Sequence, residues 1–484
     1  MRVPSLSIYK VLSKGVAKAG AAFGRFSRLV IGAAVLAVVP EISGVQADIN
    51  PWIKSTVYDP QKWDTAGPDT ATPWLHPPPW TADQGWGVLG GDFDASNVTG
   101  SWGGLRDRLV LDGISIGAAY FAQPAANVAG GLDEGTSWRG DLGVATYLDL
   151  ERLINWRGGF FTASFSYKDG SDSLTPRYVG NQFPVQLPSF DDDGATRLVH
   201  LAFGQQLFDN NAELVGGRII AGEDFATLRL ACTSANQAIC GNPIAGAQSI
   251  SFPSYPSATW GARLKVKPGD DWYAQAGAYL VYPNFRDSDD HGLEFGAPAG
   301  HGVLALGEFG YLAGGHSGGD GLPGKYKVGG YYDGEDLTDF STGMTEDGTW
   351  GVYVMGEQML YAEDGSFSEG LSAFLALSYA PPDVNRITFM AAGGLSYKGP
   401  FESRPDDALS LIGAYGDFSS DLSNSQVAAG LFSQSGEGLL EINYRAQLAP
   451  WIFVEPDAQW IINPNGQSNI DDALVLGVAF GVVF

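Results

Sequence analysis

The chain has 484 residues, 28 basic against 54 acidic, and a formal charge of −26 at pH 7. A field of that sign repels nucleic acid and anionic head groups and argues against both as partners. Hydrophobic residues make up 44 % of the chain, yet mean hydropathy is only −0.04, and beyond the first fifty residues no run approaches the roughly 20 apolar residues of a spanning helix. Any membrane crossing must then be made by strands, whose alternation hides lipid-facing residues from a hydropathy window.

Residues 1–47 read as a secretory leader. Arg2, Lys10, Lys14, Lys18, Arg25 and Arg28 form a positive n-region, Leu29–Val39 an apolar h-region, and Val45-Gln46-Ala47 a small-residue cleavage site. With six of the 28 basic residues and one of the 54 acidic ones in this leader, the exported chain lies near −31. Residues 48–100 follow with seven Pro and five Trp and with neither helical nor strand period. This segment is expected to be a periplasmic tail, or a plug for the lower mouth of a pore that could also bind a periplasmic partner.

From about residue 113 the sequence alternates with period two. The clearest stretch sets Leu440, Ile442, Tyr444, Ala446 and Leu448 against Glu441, Asn443, Arg445 and Gln447; another sets Trp260, Ala262, Leu264 and Val266 against Gly261, Arg263, Lys265 and Lys267. Candidate strands fall at 113–122, 141–150, 159–168, 196–205, 213–222, 258–267, 271–282, 302–312, 325–333, 349–361, 370–380, 386–398, 408–417, 426–432, 437–449, 451–462 and 472–484. That is seventeen, whereas single-chain bacterial barrels have even counts. The segment 426–432 is the shortest and alternates least, and discarding it leaves sixteen. The connections then divide into short ones at one rim (151–158, 206–212, 268–270, 450) and long ones at the other (169–195, 223–257, 418–436). The fold class expected is an all-β transmembrane antiparallel barrel of about sixteen strands over residues 101–484, with short periplasmic turns and long outer loops.

Cys232 and Cys240 are the only cysteines, eight residues apart in a Gly/Pro/Ser/Asn-rich stretch. In an exported chain such a pair is expected to close a loop as a disulfide, with free thiols as the alternative. No metal or cofactor is expected, because the nearest histidine in sequence is His200. The last candidate strand places Leu474, Leu476, Val478, Phe480, Val482 and Phe484 on one face, against Gly477, Ala479 and Gly481. A final strand ending on an aromatic residue looks like the signal read by the barrel-assembly machinery.

Several stretches resemble the carbohydrate-selective porin family (OprB type), over most of 98–484. They are Ser101-Trp-Gly-Gly-Leu-Arg-Asp-Arg-Leu109, Tyr255-Pro-Ser-Ala-Thr-Trp-Gly-Ala-Arg-Leu-Lys265 with Asp270-Asp-Trp-Tyr273, and Tyr397-Lys-Gly-Pro400 with Arg404-Pro-Asp-Asp407. The strongest is Leu440-Glu-Ile-Asn-Tyr-Arg-Ala-Gln-Leu-Ala-Pro-Trp451, running into Glu455-Pro-Asp-Ala-Gln-Trp460 and Ile462-Asn-Pro-Asn-Gly466. The resemblance implies a pore of the bacterial outer membrane for glucose and related monosaccharides, embedded in outer-membrane lipid and able to form a homotrimer. A general porin is the runner-up, and a barrel enzyme or a barrel-anchored adhesin are readings from other classes.

A neutral polyhydroxylated solute needs donors and acceptors to replace its water, held weakly enough to let it leave. The polar strand faces offer Arg218, Arg263, Lys265, Glu441, Asn443, Arg445, Gln447, Asp457 and Gln459. Arg445 is expected to stand in the open lumen, so that its replacement by Ala should leave folding nearly unchanged. The constriction is expected from inward-folded outer loops: first 223–257, opening on Glu223 and Asp224, then 169–195 with Arg177. Gly315-His316-Ser317-Gly318-Gly319 matches a serine-hydrolase pattern, but it lies in a glycine run at a turn and lacks the strand–turn–helix setting the motif needs. Asp287–Gly292 approaches a calcium loop, but His291 replaces an oxygen ligand and the closing Glu is missing. Deleting Phe484 is expected to abolish outer-membrane assembly while export continues; a normal yield of heat-modifiable barrel from the truncated chain would refute this.

Overall fold

Hydrocarbon offers no water to an unpaired strand edge, so a sheet that crosses it has to close on itself. The computed structural model shows that closure. It describes residues 98–484 apart from 189–195, 209, 269–270, 283–285, 288, 297–301, 315–320, 364–366 and 368. The leader, nearly all of the Pro/Trp-rich segment and the 315–319 motif lie outside the described residues.

The strands are β1 Ile114–Gly131, β2 Gly135–Asp149, β3 Gly159–Gly170, β4 Thr196–Leu207, β5 Ala212–Ile219, β6 Thr259–Val266, β7 Trp272–Val281 and β8 Gly302–Ala313. They continue as β9 Gly324–Thr338, β10 Thr345–Ala362, β11 Gly370–Tyr379, β12 Ile387–Lys398, β13 Ala408–Phe418, β14 Gly436–Ala449, β15 Ile452–Ile462 and β16 Asp471–Val483. Each pairs antiparallel with its neighbours in sequence, and β1 pairs with both β2 and β16, so all sixteen form one closed barrel. Alternation then sorts side chains by medium. In β8, Val303, Phe309 and Tyr311 are exposed outward while Leu304, Leu306, Glu308 and Leu312 are buried. In β16, Leu474, Leu476 and Val478 face outward against buried Ala473, Val475 and Ala479.

The discarded segment 426–432 is not a strand. It overlaps the helix Ser420–Ala428, whose first turn is capped by Ser419 Oγ accepting from Asp421 N and Leu422 N, both at 3.1 Å. Two outer connections are much shorter than the sequence suggests. β1 runs 18 residues and β2 15, leaving only Leu132–Glu134 between them. The expected loop 123–140 is therefore mostly paired backbone. Its residues Ala125, Ala126, Asn127, Val128, Ala129, Gly130 and Gly131 are too small and uniform to show a two-residue period, and the ladder supplies the pairing instead. The β9–β10 hairpin likewise extends to Thr338 and Thr345.

The seam between β1 and β16 has its own fastening. Helix α1, Leu105–Leu111, leads into β1 and carries the buried Arg106. Its Nη2 donates to the main-chain oxygen of Phe484 at 2.8 Å and to Ile116 O at 3.2 Å, and its Nη1 to Gly100 O at 3.3 Å. Phe484 N donates to Ala118 O at 2.9 Å and Val98 N to Val483 O at 3.0 Å. Charge-assisted hydrogen bonds of this kind each contribute about 1.5–3 kcal/mol. Arg106→Ala is therefore expected to lower barrel stability by about 2–3 kcal/mol, read as a shift in the urea midpoint in vesicles, with Arg106→Lys recovering only part. An unchanged midpoint would remove the seam role.

Candidate functional site: a lumen narrowed by two inward segments

Between β5 and β6 the chain turns into the barrel rather than over its rim. It begins with the short helix α2, Ala221–Asp224, and continues through a second, Gln237–Cys240. Cys232 and Cys240 are joined as a disulfide. The apolar side of the segment packs on one arc of the wall, with Phe225, Leu228, Ile239 and Ile244 in a common core with Leu306, Met355, Phe374 and Ile412.

A loop inside a barrel takes main-chain N–H groups away from water, and each must find an acceptor. The wall supplies carboxylates. Glu308 of β8 accepts from Ala226 N at 3.1 Å, Tyr273 OH at 2.8 Å, Tyr353 OH at 2.8 Å and Gln275 Nε2 at 3.0 Å. Beside it, Lys327 Nζ donates to Thr227 O at 2.7 Å. Glu357 of β10 accepts from Leu230 N at 2.9 Å, and Glu441 of β14 from Ser234 Oγ at 2.6 Å and Ala235 N at 2.7 Å. The anchors therefore span the lumen from β8 to β14.

The segment after β3 also enters. Glu437 accepts from Gln182 N at 2.7 Å and Phe183 N at 2.9 Å, while Gln186 Nε2 donates to Gln123 O at 2.7 Å. The two inward segments meet, since Asn236 Nδ2 donates to Phe183 O at 3.3 Å and Gln123 Nε2 reaches both Val185 O and Ala235 O at 3.2 Å. Between them lies a cavity of about 20 Å³, bordered by Gln237, Asn242, Gln248, Ser254 and Arg286. Pro184, Ala238 and Ala247 line it as well, and it has room for about one water.

The residues singled out from sequence take different places in the structure. Glu441, Asn443 and Gln459 face inward but hold the loops: Asn443 Nδ2 donates to Thr233 O at 2.7 Å and Gln459 Nε2 to Val185 O at 2.9 Å. Asp457 accepts from Gln459 Nε2 at 2.9 Å on the same wall. Arg263 is buried between Glu213 at 2.5 Å and Asp224 at 3.0 Å, and Lys265 Nζ lies 4.6 Å over the Tyr273 ring. Gln447 is spent on the β14–β15 turn, donating to Ala449 O at 2.7 Å. Arg177 is exposed on the β3–β4 segment and pairs with Asp172.

Two expectations are corrected. Arg218 does not face the lumen. It pairs across the sheet with Leu201 and Trp260, on the outer face that Leu214 shares. There it donates to Ala258 O at 2.7 Å and Glu294 O at 3.0 Å, so the covering connections, not the lumen, satisfy its charge. Arg445 does face inward, but not into open water. It is 6 % exposed, its Nε lies 2.5 Å from Glu455 and its guanidinium 4.1 Å over the Phe453 ring.

Sequence reading missed Glu308, Glu357, Glu437 and Gln123. Glu308 was legible in principle, as a charge on the inner parity of a strand whose other face is Val303, Phe309 and Tyr311. His200 was also missed. Its Nδ1 lies 2.8 Å from Ser164 Oγ and its Nε2 3.0 Å from Glu223, fastening the start of the inward segment to β3 and β4. Burial pushes the Glu223 carboxyl up, and the neighbouring imidazole draws it back. Ser164 is wholly buried, so this Ser–His–Glu chain leaves no space for a substrate at the hydroxyl.

The carbohydrate-selective porin (OprB) family model matches residues 133–484. The match leaves out the 101–109 motif and all of β1, which the sequence resemblance had included. Porin B of Pseudomonas aeruginosa is 28 % identical over 422 residues, covering 80 % of this chain and 91 % of that protein. The high-pH structure of Pseudomonas putida OprB superposes with a TM-score of 0.76 at 24 % identity, covering 81 % of this chain and 99 % of that one. The low-pH structure of the same protein gives 0.54 at 20 % identity. At these identities the superpositions speak for the fold.

Removing one member of a buried ion pair strands the other and costs about 3–5 kcal/mol. Arg445→Ala should lose that much, while the double variant Arg445→Met/Glu455→Leu should return to within about 1–2 kcal/mol of the parent. Equal losses in both, measured by urea unfolding in vesicles, would show that the pair is not the source.

Proposed function

The chain belongs to the carbohydrate-selective porin (OprB) family, and from that premise we propose that glucose and related monosaccharides diffuse through a passage narrowed by the 171–188 and 220–258 segments. The protein is a sugar-preferring outer-membrane porin, a channel and not an enzyme. Supporting the finer reading is one observation above all: the inward segments are fixed across the lumen by wall carboxylates, and they carry amide, hydroxyl and guanidinium groups into it. Such groups exchange hydrogen bonds with hydroxyls one for one, without the tight hold of an unpaired charge. The apolar C–H faces of a sugar ring can be covered by an aromatic ring such as that of Tyr178, one face of which carries the Arg177 guanidinium at 5.4 Å.

The wall residues Glu441, Asn443, Gln459 and Arg263, the last through its pairing with Asp224, set the position of these segments, and Lys265, Gln237, Gln248 and Arg286 are the groups we assign to the solute. Neutral sugars should pass ahead of charged solutes of equal size, because most wall charges are already paired. All strands and both inward segments come from one chain, so each barrel holds a complete pathway; association into a homotrimer would multiply it without altering it. The same reading assigns the last strand and Phe484 to recognition by the barrel-assembly machinery.

Liposome swelling separates this reading from a general porin. Glucose should equilibrate faster than amino acids of similar size, and equal rates would favour the general pore. The double variant Cys232→Ser/Cys240→Ser should assemble normally and change the order of rates across a sugar panel. Identical rates would place the constriction outside 220–258.

A further inference from the structure

Three exposed aromatic residues occupy the left-handed backbone region that ordinarily favours glycine: Trp102 at φ 51°, Phe208 at φ 55° and Phe367 at φ 61°. Bulky side chains there cost of order 1–3 kcal/mol each and persist only when something compensates. All three lie at the rim that carries the short turns: Trp102 ahead of β1, Phe208 in the β4–β5 turn and Phe367 in the β10–β11 turn. Among the described residues, the other non-glycine positions with positive φ are Asn, Ala or His. Phe208 is 78 % exposed, so the described residues leave most of its ring uncovered. A strained backbone presenting a large apolar ring to water would be unfavourable twice over.

The same rim carries more uncovered apolar surface. Val110 and Leu111 end α1, and Ile154 and Trp156 follow in the β2–β3 turn, all exposed. These pieces form one ledge, because Arg152 Nη1 donates to Val110 O at 2.9 Å and Asp149 N to Gly113 O at 2.8 Å. The ledge is continuous with the lipid-facing wall: the Trp156 ring stands 5.0 Å from that of Phe203 on β4, and its Nε1 donates to Gln205 Oε1 at 2.8 Å. Its charge is also out of keeping with the strongly acidic chain. Apart from the buried Arg106, residues 105–112 and 149–158 hold three arginines against four carboxylates, so this surface is close to neutral and repels phosphate head groups far less than the chain as a whole would.

We propose that this rim is a lipid-docking surface, with the ledge of α1 and the β2–β3 turn and the strained rings of Phe208 and Phe367 inserted among the glycerophospholipids of the periplasmic leaflet. The proposal rests on the barrel's place in the outer membrane, not on which solute it passes. Apolar side chains that meet acyl chains leave water, which offsets the backbone strain, while the ledge arginines stay at head-group depth. The surface belongs to turns and helices below the strand ends, and so extends the protein's grip past the hydrocarbon edge.

Spin labelling tests this directly, because both native cysteines are tied in the disulfide and an introduced one is the sole free thiol. Labels at Ile154→Cys, Phe208→Cys and Phe367→Cys in the mature chain are read in phosphatidylethanolamine/phosphatidylglycerol vesicles, with Leu474→Cys as the lipid-facing control and Val427→Cys as the aqueous one. Collision with oxygen but shielding from a polar nickel chelate, as at 474, is the expected result. Chelate accessibility like that at 427 would overturn the proposal by placing the rim in water. Shielding from both reagents would overturn it in favour of a protein cover, the 48–97 segment or a second copy. A second measurement has opposite signs for the alternatives. Phe208→Gly/Phe367→Gly relieves backbone strain, so in water it should raise the unfolding midpoint, whereas a lipid-inserted rim should see the midpoint fall in vesicles.

Discussion

Everything in this protein follows from the need to pair every main-chain N–H and C=O inside a medium that offers none. For the wall the answer is closure of β16 onto β1, and the fastening lies at the seam, where Arg106 gathers the end of the chain, the start of β1 and the lead-in turn. For the lumen the same need recurs in another form. Two segments folded into the barrel have no ladder to join, so their N–H groups are received by carboxylates that the wall holds ready.

Those carboxylates change how the lumen's charge should be understood. Glu308, Glu357, Glu437 and Glu441 are acidic residues on the inner face, and a count of charges would make them a cation-selective lining. In place they are acceptors for loop backbone, with Tyr, Gln, Ser or Asn donors completing their shells. A carboxylate so engaged projects little free charge towards a passing solute. The basic residues are matched in the same way, Arg263 by Glu213 and Asp224, Arg445 by Glu455.

Two kinds of residue therefore share the inner face, and they answer to different tests. Wall residues such as Glu308, Glu357 and Glu441 anchor the segments by accepting their main-chain N–H groups. Groups borne by the segments themselves, such as Gln237 and Gln248, border the junction where the two segments meet. The disulfide sits between these roles, closing the part of the loop that meets β14 while the His200–Glu223 contact fixes its beginning.

The sequence by itself determined the barrel. Period-two alternation marks strands because each side chain meets one of two media, and Leu440 to Leu448 against Glu441 to Gln447 shows it without any partner in view. The parity of strand number likewise excluded 426–432, where a capped helix stands. Only the tertiary structure decided what the inner face does. Alternation says that Glu441 and Arg445 point away from lipid, but not whether water or a folded-in loop receives them, because that depends on chain more than 200 residues away in the case of Ser234 and Ala235. Arg218 shows the same limit from the other side: a charge outside the barrel is tolerated when the main-chain oxygens of Ala258 and Glu294 cover it, and no local pattern announces that cover. Local periodicity is set by the medium each residue faces, whereas the lumen's chemistry is set by which distant segment fills it.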